Sequence, residues 1–412
     1  MTKTKKNKII NDPIYGFITL ERGIIFDLIE HPYFQRLRRI TQLGLSYLVY
    51  PGAYHTRFHH ALGCMFLMKK AIQQIRNKGH EITEKEAEAL KIAILLHDIG
   101  HGPFSHALEN SIVNNISHEH LSSLFMNKLN EEFNGKLDLA IKIFNNKHPK
   151  KFLHQLVSSQ LDMDRLDYLK RDSFFTGVTE GNIGTERIIN MLDVVKDKLV
   201  IEEKGIYSIE KFLIARRLMY WQVYLHKTVL SAENTLIKIL KRAKDLIQKG
   251  EPLSSSKSLG LFLKKNYNLN DFTKNQELLE VFSNLDDHDI YSCIKDWQCH
   301  SDIILSYLCR SILNRKPLKI KIQNTIFSEQ IVEKIKQETK NKLKINEEEV
   351  QYMVFTEKVS NNAYQYSKDR LNILMKNGDI KDISDASDQF NIEALNKTVN
   401  KYFLCYPNVP NK

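Results

Sequence analysis

Nine of the chain's 15 histidines fall between His55 and His120, and three of them share the stretch LLHDIGHGPFSH, residues 95–106, with Asp98. Histidines do occur in cores, and a His–Asp pair often only satisfies its own hydrogen bonds. A structural role explains this density poorly. The fold is therefore expected to bring several imidazoles and at least one carboxylate together at a metal or phosphate site.

The surroundings of the cluster read as helix. Thr83 and Glu86 have capping-box spacing, which predicts a helix from there to Asp98, where Gly100 and Gly102-Pro103 break it. Ala87, Leu90, Ile94 and His97 share one face of it, so His97 points to the core. Asp98 sits at the negative end of the helix, which favours a bound cation. A second helix is predicted from about Thr56 through TRFHHALGCMFLMKKAI. His60, Cys64, Leu67 and Ala71 line its apolar stripe, whereas His59 belongs with Gly63, Phe66, Lys70 and Gln73 on a mixed face. His60 is the better ligand candidate, and His59 reads as a packing or supporting residue.

Two imidazoles and one aspartate leave a hard divalent ion short of ligands and of charge, so a further carboxylate is needed. SSQLDMDRLDYLKRD supplies Asp162, Asp164, Asp167 and Asp172. On a helix Asp164 aligns with Val157, Leu161 and Tyr168, and Asp162 with Leu166 and Leu169. Periodicity does not choose between them.

Most segments from about Ile24 to Asp245 have helical apolar spacing. The exception is LVIEEKGIYSIEKF, 199–212, whose β-prone runs flank Lys204-Gly205 like a hairpin. GEPLSSSKSLG, 250–260, reads as a loop, and further helices are expected over roughly 271–314. The pattern changes at Pro317. Beyond it a helix-like run, 328–342, alternates with strand-like runs, and Asn377-Gly378 signals a two-residue hairpin turn. The expected fold class is mostly α with a small C-terminal α+β appendage. The expected organisation is a catalytic domain over 1–245, a helical extension of its core over 246–318 and the appendage over 319–412. The last of these is expected to serve assembly or regulation.

The 412 residues include no run of about eighteen apolar ones, and MTKTKKNK lacks the apolar stretch of a signal peptide, so a cytoplasmic protein without membrane contact is expected. Five cysteines without a CxxC pair indicate neither a disulfide framework nor a thiolate zinc site. The net charge of +11 favours an anionic partner, whether a nucleotide substrate, the cell's phosphate pool or weakly bound nucleic acid.

At this point the residues resemble a known family. His60, His97-Asp98 and one of the downstream aspartates follow the H…HD…D pattern of the HD-domain phosphohydrolases, and the closer likeness is to their deoxynucleoside triphosphate triphosphohydrolases. It extends in one order over INDPIYGFITL (10–20), HPYFQRLRRITQLG (31–44), PGAYHTRFHHALG (51–63), HDIGHGPFSHALE (97–109), LDMDRLDYLKRD (161–172) and YLHK (224–227). The resemblance implies the helical HD fold and one divalent ion, Mn, Fe, Mg, Zn or Ni, on His60, His97, Asp98 and Asp164. It also implies that His101, His106, Glu109 and His118 bind or protonate the phosphate chain. Arg57, Arg165, Tyr168 and Arg216 match phosphate contacts, and Gln42, Leu43, Asp172 and Tyr224 match positions around a deoxyribose. Glu109 stands where an aspartate is common, and Arg165 and Leu166 where mammalian members have lysine and tryptophan. Lys8, Asn11, Glu30, Gln35 and Arg38 resemble a regulatory nucleotide site of those members, with Glu30 in place of aspartate. Relatives assemble as dimers or larger, which implies a homo-oligomer.

These roles also make physical sense by themselves. A divalent ion acidifies water enough for it to attack phosphorus, cationic side chains stabilise the spreading charge, and an imidazole such as His118 can protonate the departing sugar oxygen. The expected activity is the splitting of a dNTP into deoxynucleoside and tripolyphosphate. The competing expectations are a phosphatase or phosphodiesterase on another nucleotide, and a basic nucleic-acid-binding module with a vestigial metal site.

Overall fold

The computed structural model describes residues 7–104, 108, 111–113, 116–361, 364, 370–388 and 398–408. Its architecture is mostly α, with small sheets at the two ends of the chain and beside the helical core. An N-terminal hairpin pairs β1 (Lys8–Asp12) with β2 (Gly16–Leu20). Four helices then form the centre. They are α1 (Arg57–Asn77), α2 (Glu84–Leu96), α3 (His118–Glu132) and α4 (Met163–Thr176), with α1 packed against both α2 and α4.

The starts of these helices follow from their caps. Thr83 Oγ1 accepts from the Glu86 N–H at 3.2 Å and Glu86 Oε2 accepts from the Thr83 N–H at 2.8 Å, the reciprocal box that the sequence predicts. α2 stops at Leu96, slightly short of expectation, and His97 and Asp98 form the turn beyond it. Asp162 caps α4 by accepting from Arg165 N at 2.7 Å, and Gly177, at φ 73°, ends that helix.

Two glycines permit the close approaches around the turn and the helices. A Cβ on Gly100 would stand 2.2 Å from Ser122 N and 2.3 Å from His118 O, so only glycine lets the His97-Asp98 turn lie against the start of α3. Ser122 ties the two together, its hydroxyl accepting from Gly100 N at 2.9 Å and donating to His97 O at 2.7 Å. A Cβ on Gly63 would stand 2.0 Å from Asp167 Oδ1, so α1 and α4 meet where α1 carries no side chain.

The middle of the chain corrects one expectation. A hairpin is present, but it joins β3 (Leu192–Val195) to β4 (Lys198–Glu202) through Lys196 and Asp197, at φ 48° and 60°. Lys204-Gly205 lies in a short 3₁₀ turn that leads into α5 (Ile206–Met219). The β-prone Ile206, Ile209, Phe212 and Leu213 fall at helical spacing and are buried, so packing overrides propensity there. After α5 the backbone widens to a π-helical turn, Tyr220–Tyr224, and continues as α6 (Lys227–Gln248).

The loop expected over 250–260 gives way at Lys257 to a helix, Lys257–Lys264, capped by Ser256. Short helices follow, then α7 (Asp287–Trp297) and α8 (Ile303–Leu313). The C-terminal region holds β5 (Lys319–Gln323), α9 (Glu329–Leu343), α10 (Glu347–Met353), β6 (Phe355–Asn361), β7 (Asn372–Leu374), β8 (Ile380–Asp382) and β9 (Val399–Tyr406). One sheet has the antiparallel order β5-β9-β6. In the other, β7 joins β4 in parallel, giving the order β3-β4-β7-β8. The β7–β8 hairpin forms where Asn377-Gly378 places it. Met375 N donates to Asp379 O at 2.9 Å and Gly378 takes φ 91°, so the loop is longer than the two residues expected.

Candidate metal centre and substrate cleft

His60 is fully buried on α1. Its Nδ1 meets Asp167 Oδ2 at 2.8 Å, and its Nε2 lies 3.1 Å from Asp164 Oδ1 and 3.8 Å from Asp98 Oδ2. His97 is held likewise. Its Nδ1 lies 2.6 Å from Ile94 O, which can only accept, so Nδ1 carries the proton and Nε2 keeps its lone pair. That Nε2 is buried, finds no hydrogen-bond partner among the described residues, and lies 3.4 Å from Asp98 Oδ1 and 3.6 Å from Asp164 Oδ1. The two imidazole nitrogens thus come together with Asp164, Asp98 stands beside them toward His101, and the far side of each ring is engaged. This donor set fits a divalent ion of the Mn, Fe, Mg, Zn or Ni class.

The titration of these groups matches their packing. Burial opposes charge on Asp164, but its contacts with His60 and His97 prevail and hold its pKa well below the usual carboxylate range. Burial opposes charge on Asp98 as well, and His97, His101 and Arg57 outweigh it in the same direction. Asp162 differs. Burial pushes it up to about 6, and its two oxygens accept from Arg165 N and Ser159 N. Of the two aspartates between which periodicity could not choose, the structure brings Asp164 to the cluster and uses Asp162 as a cap.

Cys64 also approaches the cluster, its sulfur 3.5 Å from His60 Nδ1 and 3.6 Å from His60 Nε2. Near-equal distances to both nitrogens place it against the ring face, away from the Nε2 lone-pair axis. His59 turns back toward the helix start, where its Nδ1 accepts from Thr56 N at 3.4 Å.

A cleft of ≈ 520 Å³ opens from the cluster. Asp98, Asp164, His101 and His118 lie along it with Arg57 and Arg165, and Gln42, Leu43, Tyr168, Asp172 and Tyr224 line it too. Arg57 Nη1 contacts Asp98 Oδ2 at 2.6 Å, and Arg165 Nε donates to Ser159 O at 2.6 Å. His101 and His118 stack with ring centroids 3.8 Å apart. Burial and the neighbouring Arg57 cation push His101 down to about 3, so it is neutral at ordinary pH. Arg216 does not line the cleft. It is buried near the Tyr168 phenol, and its Nε and Nη1 have no hydrogen-bond partner among the described residues. His106 and Glu109 lie outside the described residues.

Among the cleft residues that sequence reasoning missed are the polar Tyr220 and Glu233, and a further residue lies behind the wall. His55 Nε2 meets Asp172 Oδ1 at 2.7 Å, and its backbone oxygen accepts from Gln42 N at 2.9 Å, so one histidine braces two sides of the cleft. Its place within the histidine-rich stretch was the available signal. At the surface, Lys8 pairs with Glu30 at 2.7 Å and Arg38 donates to Gln35 at 2.8 Å, while Asn11 lies in β1. Among the described residues no helix is long and apolar enough to cross a membrane.

Comparison with known proteins agrees with this geometry. Residues 57–172 match the HD domain and 183–252 the HD associated region. The chain is 35% identical over 325 residues to the uncharacterized protein YwfO of Bacillus subtilis, covering 76% of this chain and 72% of that one. It is 32% identical over 272 residues to the deoxynucleoside triphosphate triphosphohydrolase SAMHD1 homolog of Dictyostelium discoideum, covering 61% of this chain and 52% of that one. A crystal structure of a phosphohydrolase from Bacteroides thetaiotaomicron superposes with a TM-score of 0.95 at 52% identity, over 98% of this chain and all of that one. The two matched regions contribute most of the cleft's lining, and with these relatives they show that the chain belongs to the HD-domain phosphohydrolases and resembles the dNTP triphosphohydrolases among them.

Proposed function

We propose that the protein is a metal-dependent hydrolase that splits a dNTP into deoxynucleoside and tripolyphosphate. The observation that carries this reading is the cleft, which combines a His/Asp cluster, two arginines and a Tyr224–Asp172 pair along one wall-to-wall space. That space suits a ligand with phosphates at one end and a sugar at the other. The relative named a deoxynucleoside triphosphate triphosphohydrolase supports the same substrate class.

His60, His97, Asp98 and Asp164 would hold the ion, which supplies charge for the phosphate oxygens and acidifies water for attack. The chain's own groups do the rest. Arg57 and Arg165 offset the charge that spreads over the phosphate chain, and Arg216 adds buried positive charge behind Tyr168. His118, stacked on the neutral His101, stands in the cleft to give a proton to the sugar oxygen O5′. Water attacks the α-phosphorus and releases a proton to solvent, the bond from that phosphorus to O5′ breaks, O5′ takes its proton from His118, which regains one from solvent, and the tripolyphosphate leaves whole. Tyr224, Asp172, Gln42 and Leu43 line the cleft together and would surround the sugar, where they would disfavour a 2′-hydroxyl.

Ion-exchange chromatography of dATP and dGTP reactions tests the reading. Deoxynucleoside and tripolyphosphate should form in equal amounts without dNDP or dNMP. Accumulation of either intermediate, or equal turnover of ATP, would instead indicate a phosphatase or phosphodiesterase. His118→Ala retaining the full rate would remove that residue from proton transfer.

A further inference from the structure

Asp167 is fully buried on α4 and has no part in the chemistry above. Its Oδ2 contacts His60 Nδ1 and Arg171 Nε, both at 2.8 Å, and its Oδ1 accepts from Arg171 Nη2 at 3.0 Å. Arg171 lies one turn further along the helix, also with no exposed surface, and its Nη1 donates to Asp12 Oδ2 at 2.9 Å. Asp12 ends β1, and its Oδ1 accepts from the N–H groups of Ile14 and Tyr15, each at 2.9 Å. Three charged side chains are thus removed from water in a line that begins in the N-terminal hairpin and ends on an imidazole of the cluster.

Removing charge from water is unfavourable unless every group finds a partner. Here one guanidinium lies between two carboxylates, and the negative charge left over faces His60. α1 is built around this line, since a Cβ on Gly63 would stand 2.0 Å from Asp167 Oδ1 and 2.3 Å from Arg171 Nη2. A carboxylate at Nδ1 keeps the proton on that nitrogen, orients the ring and makes Nε2 a better electron donor.

We propose that Asp12, Arg171 and Asp167 are positioning residues that aim His60 Nε2 at the metal, so that the N-terminal hairpin is a working part of the centre. This rests on the reading of His60 as a ligand. Asp12 lies upstream of residues 57–172, the part of the chain that matches the HD domain.

The test titrates Mn²⁺ into metal-free full-length protein by calorimetry, with melting temperatures measured in parallel. Asp12→Asn keeps an oxygen for the Ile14 and Tyr15 N–H groups but removes the charge facing Arg171, and Asp167→Asn does the same facing His60. Asp302→Asn is the control, because it breaks a different, partly buried pair, Asp302 Oδ2 with Arg242 Nη2 at 2.5 Å, that includes no cleft residue. The Mn²⁺ Kd should rise about tenfold or more in Asp12→Asn and Asp167→Asn. It should stay at the wild-type value in Asp302→Asn, although all three variants melt earlier. A wild-type Kd in folded Asp12→Asn overturns the relay, and that variant decides the matter alone if Asp167→Asn does not fold. Wild-type protein that takes up no Mn²⁺ overturns the relay together with the metal-site reading. Because Mn²⁺ uptake is measured without nucleotide, failure to hydrolyse dNTP leaves this test intact.

Discussion

The Tyr224 hydroxyl donates to Asp172 Oδ2 at 2.8 Å, joining the π-helical turn after α5 to the last turns of α4. With His55 on the other oxygen, both oxygens of a buried carboxylate are engaged, so the sugar end of the cleft is stiff. Tyr224→Phe removes one donor and should lower stability by about 1–3 kcal/mol. It also opens space for one hydroxyl, so the preference for dATP over ATP in kcat/KM should fall roughly tenfold. A preference left unchanged would exclude Tyr224 from sugar discrimination.

Asp162 and Asp164 are two residues apart and should behave in opposite ways. Asp164→Ala is expected to abolish metal uptake, as is Asp98→Ala. Asp162→Ala removes the cap of α4 and should lower stability by about 0.5–2 kcal/mol while metal uptake persists. Elemental analysis and thermal melting of the variants separate the two roles, and a full metal complement in Asp164→Ala would exclude it as a ligand.

Cys64 provides a contrasting case. Its sulfur rests on the face of His60, so it fills space beside the centre without pointing a lone pair along the Nε2 axis. Cys64→Val is similar in volume and should leave the molar ratio of bound Mn²⁺ unchanged. Loss of the metal in this variant would make the thiol a ligand.

One acid outside the metal cluster should give stability a recognisable pH dependence. Burial pushes the Asp287 carboxyl up to about 6, against the pull of Thr41, whose N–H and hydroxyl donate to Oδ2 at 2.8 and 2.7 Å. An acid whose pKa rises on folding stabilises fully below its unfolded value, and that contribution is lost as the pH passes upward through the folded value. Asp287→Asn cannot ionise. The stability of wild type relative to this variant should therefore fall between about pH 4 and pH 7, by on the order of 3 kcal/mol. A flat or rising difference would show that Asp287 is not strained by burial.

Much of the site was legible because it follows local rules. The Thr83–Glu86 box set the start of α2, the apolar stripe of α1 put His60 inward and His59 aside, and the glycines after Asp98 stopped the helix where the turn had to begin. The choice between Asp162 and Asp164 was not legible from periodicity, because Asp162 precedes the first turn of α4 and so has no place in the helical pattern. The hairpin near residue 196 was misplaced because its turn is made by Lys196 and Asp197, without the glycine or asparagine that marks such turns. The Asp12–Arg171 contact spans 159 positions, and no short-range pattern encodes a pairing of that kind.

The parallel pairing of β4 with β7 has a consequence for how the chain is made. Val200, Ile201 and Glu202 find their partners in Asn372, Ile373 and Leu374, and Ile373 ends fully buried. At ordinary rates of synthesis, the roughly 170 residues between these strands emerge over about ten to thirty seconds. Throughout that interval one edge of β4 is an open template, able to pair with a neighbouring nascent chain as well as with its own. Chains that share a polysome are thus exposed to a mispairing hazard that ends only when Asn372–Leu374, in the last tenth of the sequence, has left the ribosome.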